Sequence, residues 1–150
     1  MSEAMGEAGN ETMRKFGYPA TLLAESSRWV LLLRPQQATF GALVLACREP
    51  VKALSQVSAQ GFAEMQAMCA RLERGLKAAV DYEKINYLCL MMVDPDVHFH
   101  VLPRYSTPRR FDGLEFPDAG WPAVPNLGKF PELDQAALGR LAAHLRPHFA

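Results

Sequence analysis

Residues 93–105 read VDPDVHFHVLPRY, and the fold turns on how this run is read. Successive side chains of a strand point to opposite faces, so Asp96, His98 and His100 share one face while Val97, Phe99 and Val101 share the other. One face is polar and the other is apolar. Burying three ionisable groups without partners would cost several kcal/mol, which asks for a reason. Three readings are open for the two histidines: a metal pair, a catalytic pair, or residues satisfied within the fold.

Alternate residues of a flat strand lie about 7 Å apart, too far for Asp96, His98 and His100 to reach one ion together. His144 and His148 form a second pair near the C-terminal end, with Pro147 between them. They suit terminal carbonyls better than a metal. No metal and no other cofactor is expected. The catalytic reading needs an imidazole oriented through its other nitrogen and donors for a developing anion. A histidine on a rigid strand with a second on the same face meets the first requirement.

Working outward from this run, KINYLCLMM (84–92) reads as the preceding strand, with Pro95 forcing a tight bend between the two. Three more strands are expected over 21–26, 28–34 and 42–48, the last two flanking a turn bracketed by Pro35 and Gly41. Their nearly continuous apolar character predicts burial on both faces. Residues 58–80 change to a period of three and four. Phe62, Met65, Cys69, Leu72, Leu76 and Val80 form one helical stripe, with Ser58 as the N-cap. Residues 105–131 carry five prolines and the aromatics Phe111, Phe116, Trp121 and Phe130. This predicts an ordered arm with something to bury. A final helix is expected over 133–149, capped near Asp134. Strands, helix, strands, arm and helix in that order give an α+β domain on an antiparallel sheet. Residues 1–15 are expected to be a flexible tail, 16–105 the core, and 106–150 an arm and helix packed on it.

Sixteen basic residues balance sixteen acidic ones, so no global field favours nucleic acid or an anionic membrane. No apolar stretch reaches the roughly 20 residues of a membrane span, and the N-terminus lacks the features of a secretory signal. Cys47, Cys69 and Cys89 are an odd, widely spaced set. They are expected to be reduced core residues of a cytoplasmic protein.

The run V-H-F-H-V-L-P-R at 97–104 resembles the signature of the histidine triad superfamily, alternating histidine and apolar residues followed by Pro and Arg. The resemblance extends upstream through LLAESSRWVLLLRPQQATFGALVLACREPVKALSQVS, covers about residues 16–105, and is nearest to the fragile-histidine-triad branch. It implies a five-stranded antiparallel sheet with helices, a homodimer, and nucleotidyl transfer or hydrolysis at the α-phosphate of a small nucleotide. His98 matches the nucleophile and His100 the histidine that supports the phosphate. The implied alternative is a degenerate module that binds nucleotide, or serves dimerisation, without turnover.

The chain departs from the pattern at several places. Asp96 replaces the first histidine, Ala42 follows Gly41 where the family usually has histidine, and the Gln-containing phosphate loop has shrunk to residues 93–95. A carboxylate there repels polyphosphate unless a cation or an arginine offsets it. Arg34 falls where a ribose-contacting Asn or Asp often stands. Arg34, Arg104, Arg109 and Arg110 are candidates for the missing phosphate contacts, because guanidinium binds phosphate bidentately. Phe111 or Trp121 is a candidate to stack on a base. The catalytic set is thus His98, His100 and Asp96, with Arg34 and Arg104 binding substrate.

Overall fold

The computed structural model describes residues 9–150. After a short helix α1 (Glu11–Lys15) come strands β1 (Leu22–Glu25), β2 (Trp29–Leu33) and β3 (Leu43–Cys47), then the long helix α2 (Ala59–Val80). Strands β4 (Lys84–Leu88) and β5 (His98–Arg104) follow, then a hairpin of β6 (Arg109–Phe111) and β7 (Leu114–Phe116), and helix α3 (Gln135–Leu145). The first five strands make one sheet in the order β1-β2-β3-β5-β4, with every neighbouring pair antiparallel. This is the α+β architecture expected from the sequence.

Both faces of the central strands are buried, and the two faces meet different partners. Leu31, Leu33, Leu43, Leu45, Phe99 and Val101 pack against Met68, Leu72 and Leu76 of α2 and against Leu138, Leu141 and Leu145 of α3. On the opposite face, Val30, Leu32, Val44 and Ala46 pack against Met13 and Phe16. That face belongs to the histidines. Register couples the two faces, since Val44 opposes His100 and Ala46 opposes His98 across β3 and β5.

The N-terminal segment departs from the flexible tail expected over 1–15. Residues 1–8 lie outside the described residues, but Glu11–Lys15 is helical and its Thr12 and Met13 are buried. Asn10 caps it by accepting from Met13 N at 2.9 Å. Five residues are far too few for a helix to persist alone in water. Burial of Met13 and Phe16, at about 1.5–3 kcal/mol for each side chain, holds it on the sheet.

The long helix keeps its expected bounds and its Ser58 cap, which accepts from Gly61 N at 2.9 Å. Its buried face is rotated from the expected stripe, because Met68 and Gly75 are buried while Phe62 is 42% exposed. Gly75 explains the rotation: a Cβ there would lie 2.3 Å from the His148 carbonyl oxygen, so the C-terminal segment runs directly over the helix at this point. Strand β4 ends at Leu88, so residues 89–92 join the bend rather than extending the strand as expected. The arm contains the unexpected hairpin of β6 and β7. Its turn is Asp112–Gly113, with φ of 57° and 77°, the pair that a two-residue hairpin turn requires.

Candidate functional site: two imidazoles in opposite tautomers

Strand β5 places both imidazoles side by side, with ring centroids 5.2 Å apart and planes crossed at 78°. The His98 Nδ1 lies 2.7 Å from the Asp96 carbonyl oxygen. A carbonyl only accepts, so Nδ1 carries the proton and Nε2 carries the lone pair. His100 is set the other way. Arg34 Nε donates to its Nδ1 at 3.2 Å, so the His100 proton sits on Nε2. The backbone and one arginine thereby fix one ring as a base or nucleophile and the other as a neutral donor.

Arg34 owes its position to a tightly built turn. Gln37 is fully buried; its Nε2 donates to the carbonyls of Arg34 and Ala42 at 2.7 and 2.8 Å, and its Oε1 accepts from Gly41 N at 2.8 Å. Gly41 takes φ of 87°, and an added Cβ would press on Leu76 at 3.3 Å. The turn therefore needs glycine twice over. Arg34 Nη1 donates to the Gln36 carbonyl at 2.6 Å, which leaves Nη2 with no protein partner among the described residues. Gln37 escaped the sequence reading because its role is to bond backbone, and nothing in composition marks that.

A cavity of about 320 Å³ opens in front of the rings. Helix α1 and its end contribute Lys15 and Phe16, the turn contributes Arg34 and Gln36, and the bend before β5 contributes Leu90 through Asp94. The arm contributes Leu127. Phe16 packs on both imidazoles, at 5.7 Å from His98 and 5.6 Å from His100.

Asp96 is buried next to this site, but it does not line the cavity and its carboxylate is taken up elsewhere. It accepts from Thr12 N and Oγ1 at 3.2 and 2.9 Å and pairs with Lys52 Nζ at 2.8 Å. Lys52 is the offsetting cation that the acid required. Burial alone raises the Asp96 pKa, but the Lys52 and Thr12 hydrogen bonds together pull it below 3.8. What it presents to His98 is its backbone carbonyl, not its carboxylate. Asp96→Asn is expected to cost about 1–2 kcal/mol at neutral pH by loosening this cluster. A carboxylate with a depressed pKa stabilises the fold above its unfolded value and loses that effect as pH falls through its folded value. The gap between the two proteins should therefore close below pH 3.8. Urea titrations at neutral and acid pH check this, and a gap that persists in acid would assign the effect to shape instead.

Burial, then the Arg34 charge, then His98 push the His100 pKa down from 6.5 to about 4, with Asp94 acting weakly in the opposite sense. Between these values the unfolded chain binds a proton that the fold refuses. Stability from this group is complete above pH 6.5 and is lost as pH drops toward 4. His100→Gln is expected to flatten that limb by about 2 kcal/mol, allowing for water in the cavity. Thermal melts of both proteins across pH 7 to 4.5 measure it, and parallel curves would clear the ring as the cause.

The other expected contacts are not brought to the site. Arg104 is 3% exposed and binds Asp118 through two hydrogen bonds of 2.7 and 3.1 Å, six residues along β5 from His98. At about 3.3 Å per residue this is roughly 20 Å away. Arg109 lies over the Tyr105 ring at 4.1 Å and donates to the Asp81 carbonyl, while Arg110 pairs with Glu115 on the surface. Phe111 packs on Phe40 and His144, and Trp121 lies by Arg104. Leu127 is the arm residue that reaches the cavity, a role that no periodic pattern marks. Among the described residues, no three or more His, Cys, Asp or Glu are grouped to hold a metal ion. No described helix is long and apolar enough to cross a membrane.

No family model matches the sequence, and no curated protein matches it. Solved structures do. A histidine triad protein from Sinorhizobium meliloti superposes with a TM-score of 0.72 at 20% identity, over 95% of this chain and 99% of its own. The chain has the histidine triad fold. A histidine triad protein from Bradyrhizobium japonicum gives a TM-score of 0.67 at 15% identity, over 94% and 96% of the two chains. A hypothetical histidine triad nucleotide-binding protein from Sulfolobus tokodaii gives 0.64 at 15% identity, over 86% and 83%. Within the histidine triad fold, β5 is the strand of this chain that carries His98 and His100.

Proposed function

We propose that the protein is a nucleotidyl hydrolase or transferase that acts at the α-phosphate of a small nucleotide, with His98 as nucleophile. The observation that supports this best is the pair of opposite tautomers. The His98 Nε2 lone pair attacks phosphorus, forming a P–N bond as the bond to the leaving group breaks and that group departs with its electron pair, to be protonated by solvent. Positive charge developing on the ring is stabilised at Nδ1–H by the Asp96 carbonyl, 2.7 Å away. His100 Nε2–H and the free Nη2 of Arg34 donate to the non-bridging oxygens, where charge accumulates. Water then attacks phosphorus and gives a proton to solvent, the P–Nε2 bond breaks with its electron pair returning to the ring, and a nucleoside monophosphate leaves. In transfer, another acceptor takes the place of water.

The test is direct observation of the intermediate. Purified protein mixed with a nucleoside phosphoramidate and quenched in base should carry one nucleotidyl group, mapped by mass spectrometry to the peptide containing His98. Turnover without any such adduct at early times would replace nucleophilic attack by direct attack of water.

A second reading is a module that binds nucleotide without turnover. Phe16 against both rings favours it, since that contact restricts the imidazoles from one side. Saturable mononucleotide binding in calorimetry with no turnover of any analogue would select this reading. A cytoplasmic homodimer completes the proposal, with the outer edge of β4, unpaired among the described residues, as the surface that a second copy would extend. Light scattering on the purified protein measures that state.

A further inference from the structure

The carbonyl that holds the His98 proton lies outside the sheet. Strand β5 starts at His98, so Asp96 belongs to the bend before it, where no strand ladder fixes the direction of its peptide. The amide on the other side of that carbonyl, Val97 N, reaches the Val51 carbonyl at 3.3 Å, long for such a bond. A further group has to aim the carbonyl on which the His98 tautomer depends.

Thr12 meets Asp96 at three points. Its hydroxyl accepts from Asp96 N at 3.0 Å and donates to Asp96 Oδ2 at 2.9 Å, while its own N–H donates to the same oxygen at 3.2 Å. A hydroxyl has one proton to give and lone pairs to receive with, so both of its bonds are made at once. A residue held at its amide and at its carboxylate cannot turn its carbonyl away without breaking one of those bonds. Thr12 and Asp96 are 0% and 3% exposed, so water does not compete for them. Thr12 is itself held in place. Asn10, the cap of α1, donates from Nδ2 to the Cys47 carbonyl at 2.9 Å and so ties the helix to the end of β3, and Met13 and Phe16 pack on the sheet beside it. Lys52 neutralises the same carboxylate, but 65% of its side chain is exposed and its contact is with Oδ1. It has no grip on the Asp96 backbone.

Resting on the nucleotidyl-transfer reading, we infer that Thr12 is a positioning residue for His98, acting through the Asp96 peptide that it clamps. Thr12 does not line the cavity. Its hold keeps the Asp96 carbonyl on Nδ1–H, and so keeps the lone pair on Nε2, where the attack on phosphorus needs it. Without that hold the neutral ring divides between its two tautomers, and a ring protonated at Nε2 has no lone pair to attack with. Thr12 does for His98 what Arg34 does for His100.

Nitrogen-15 NMR of the imidazole rings, together with steady-state kinetics on a nucleoside phosphoramidate, tests this in wild type, Thr12→Val and Thr12→Ser. Valine keeps the shape and removes the hydroxyl; serine returns it. Wild type and Thr12→Ser should show His98 protonated at Nδ1 alone, whereas Thr12→Val should show a mixture of tautomers. The kcat of Thr12→Val should fall about 10- to 100-fold, the scale of losing a group that orients a histidine. Its KM should stay within about threefold, and Thr12→Ser should return to within about threefold of the wild-type kcat. A kcat that falls with the tautomer unmoved would overturn the inference and make Thr12 a structural contact. A loss carried mainly by KM would overturn it too, by making Thr12 a support for Phe16 and Lys15. In both cases the nucleotidyl-transfer reading stands. A tautomer mixture in Thr12→Val, with no turnover even by wild type, would overturn that reading and leave Thr12 its hold on the ring. Should Thr12→Val not fold, Asn10→Ala takes its place, because it loosens the helix that carries Thr12 without touching Asp96. Tautomer and kcat should then both shift in the same direction by at least about twofold, and an unmoved ring would overturn the inference.

Discussion

Replacing His98 with alanine is expected to lower turnover of a nucleoside phosphoramidate by about 10³- to 10⁴-fold while leaving substrate affinity within a few-fold. The reason lies in the division of labour between the two rings. His98 presents a lone pair because the Asp96 carbonyl holds its proton at Nδ1, whereas Arg34 and His100 present only donors. Removing His98 deletes the attacking atom and leaves the phosphate donors in place. The effect therefore belongs in kcat. Arg34→Ala should behave differently, raising KM and also freeing the His100 ring to change tautomer. Stability should fall only modestly in His98→Ala, because the space left beside Phe16 connects with the cavity and fills with water. The same space admits free imidazole, and rescue of His98→Ala by added imidazole would place the missing function at that atom. An alanine variant that turns over at the wild-type rate would remove His98 from the chemistry.

Where the sequence could be read, periodicity did the reading. The alternation from Val97 to Leu102 marks a strand with two faces, and the structure buries Phe99 and Val101 on one side and the imidazoles on the other. The carbonyl of Asp96 as the partner of His98 also follows from the extended backbone, because residue i−2 on the same face is within reach of the ring. What stayed hidden had no period. Helix α1 is five residues long, too short for any stripe, and its one local sign is the cap at Asn10. The rotation of α2 hides in Gly61 and Gly75, small residues that count as nothing in a hydrophobic pattern yet lie on the buried face. The hairpin at Asp112–Gly113 is the opposite case, a strong local turn signal inside a segment dominated by prolines and aromatics. Charge was the least legible. Arg34 and Arg104 look alike in the sequence, and their fates separate only once the fold shows which one meets a carboxylate.

That difference gives the largest expected effect on stability. Arg104→Met should cost about 3–5 kcal/mol, because it leaves a buried carboxylate without its partner. Asp118 is 1% exposed at its side chain and Arg104 is 4% exposed. The guanidinium also donates to Asn86 Oδ1 at 2.8 Å and to the Ala123 carbonyl at 2.8 Å. Four hydrogen bonds from one side chain thus join β5, β4 and the arm. Arg104→Lys cannot reproduce the two-pronged contact and should lose a large part of the same energy. Converting both partners, Arg104→Met with Asp118→Leu, removes the orphaned charge and should recover at least about 1–2 kcal/mol of the loss. The Tyr105 N–H, which Asp118 accepts at 3.1 Å, then goes unpaired and limits the recovery. Urea unfolding of the wild type, Arg104→Met, Asp118→Leu and the double variant closes the cycle, and an Arg104→Met cost under about 1 kcal/mol would show that solvent reaches the pair. Because the same arm carries Leu127 to the cavity wall, Arg104→Met should also raise KM for nucleotide although Arg104 itself is roughly 20 Å along the strand from His98. The arginine acts on the site through the arm it anchors.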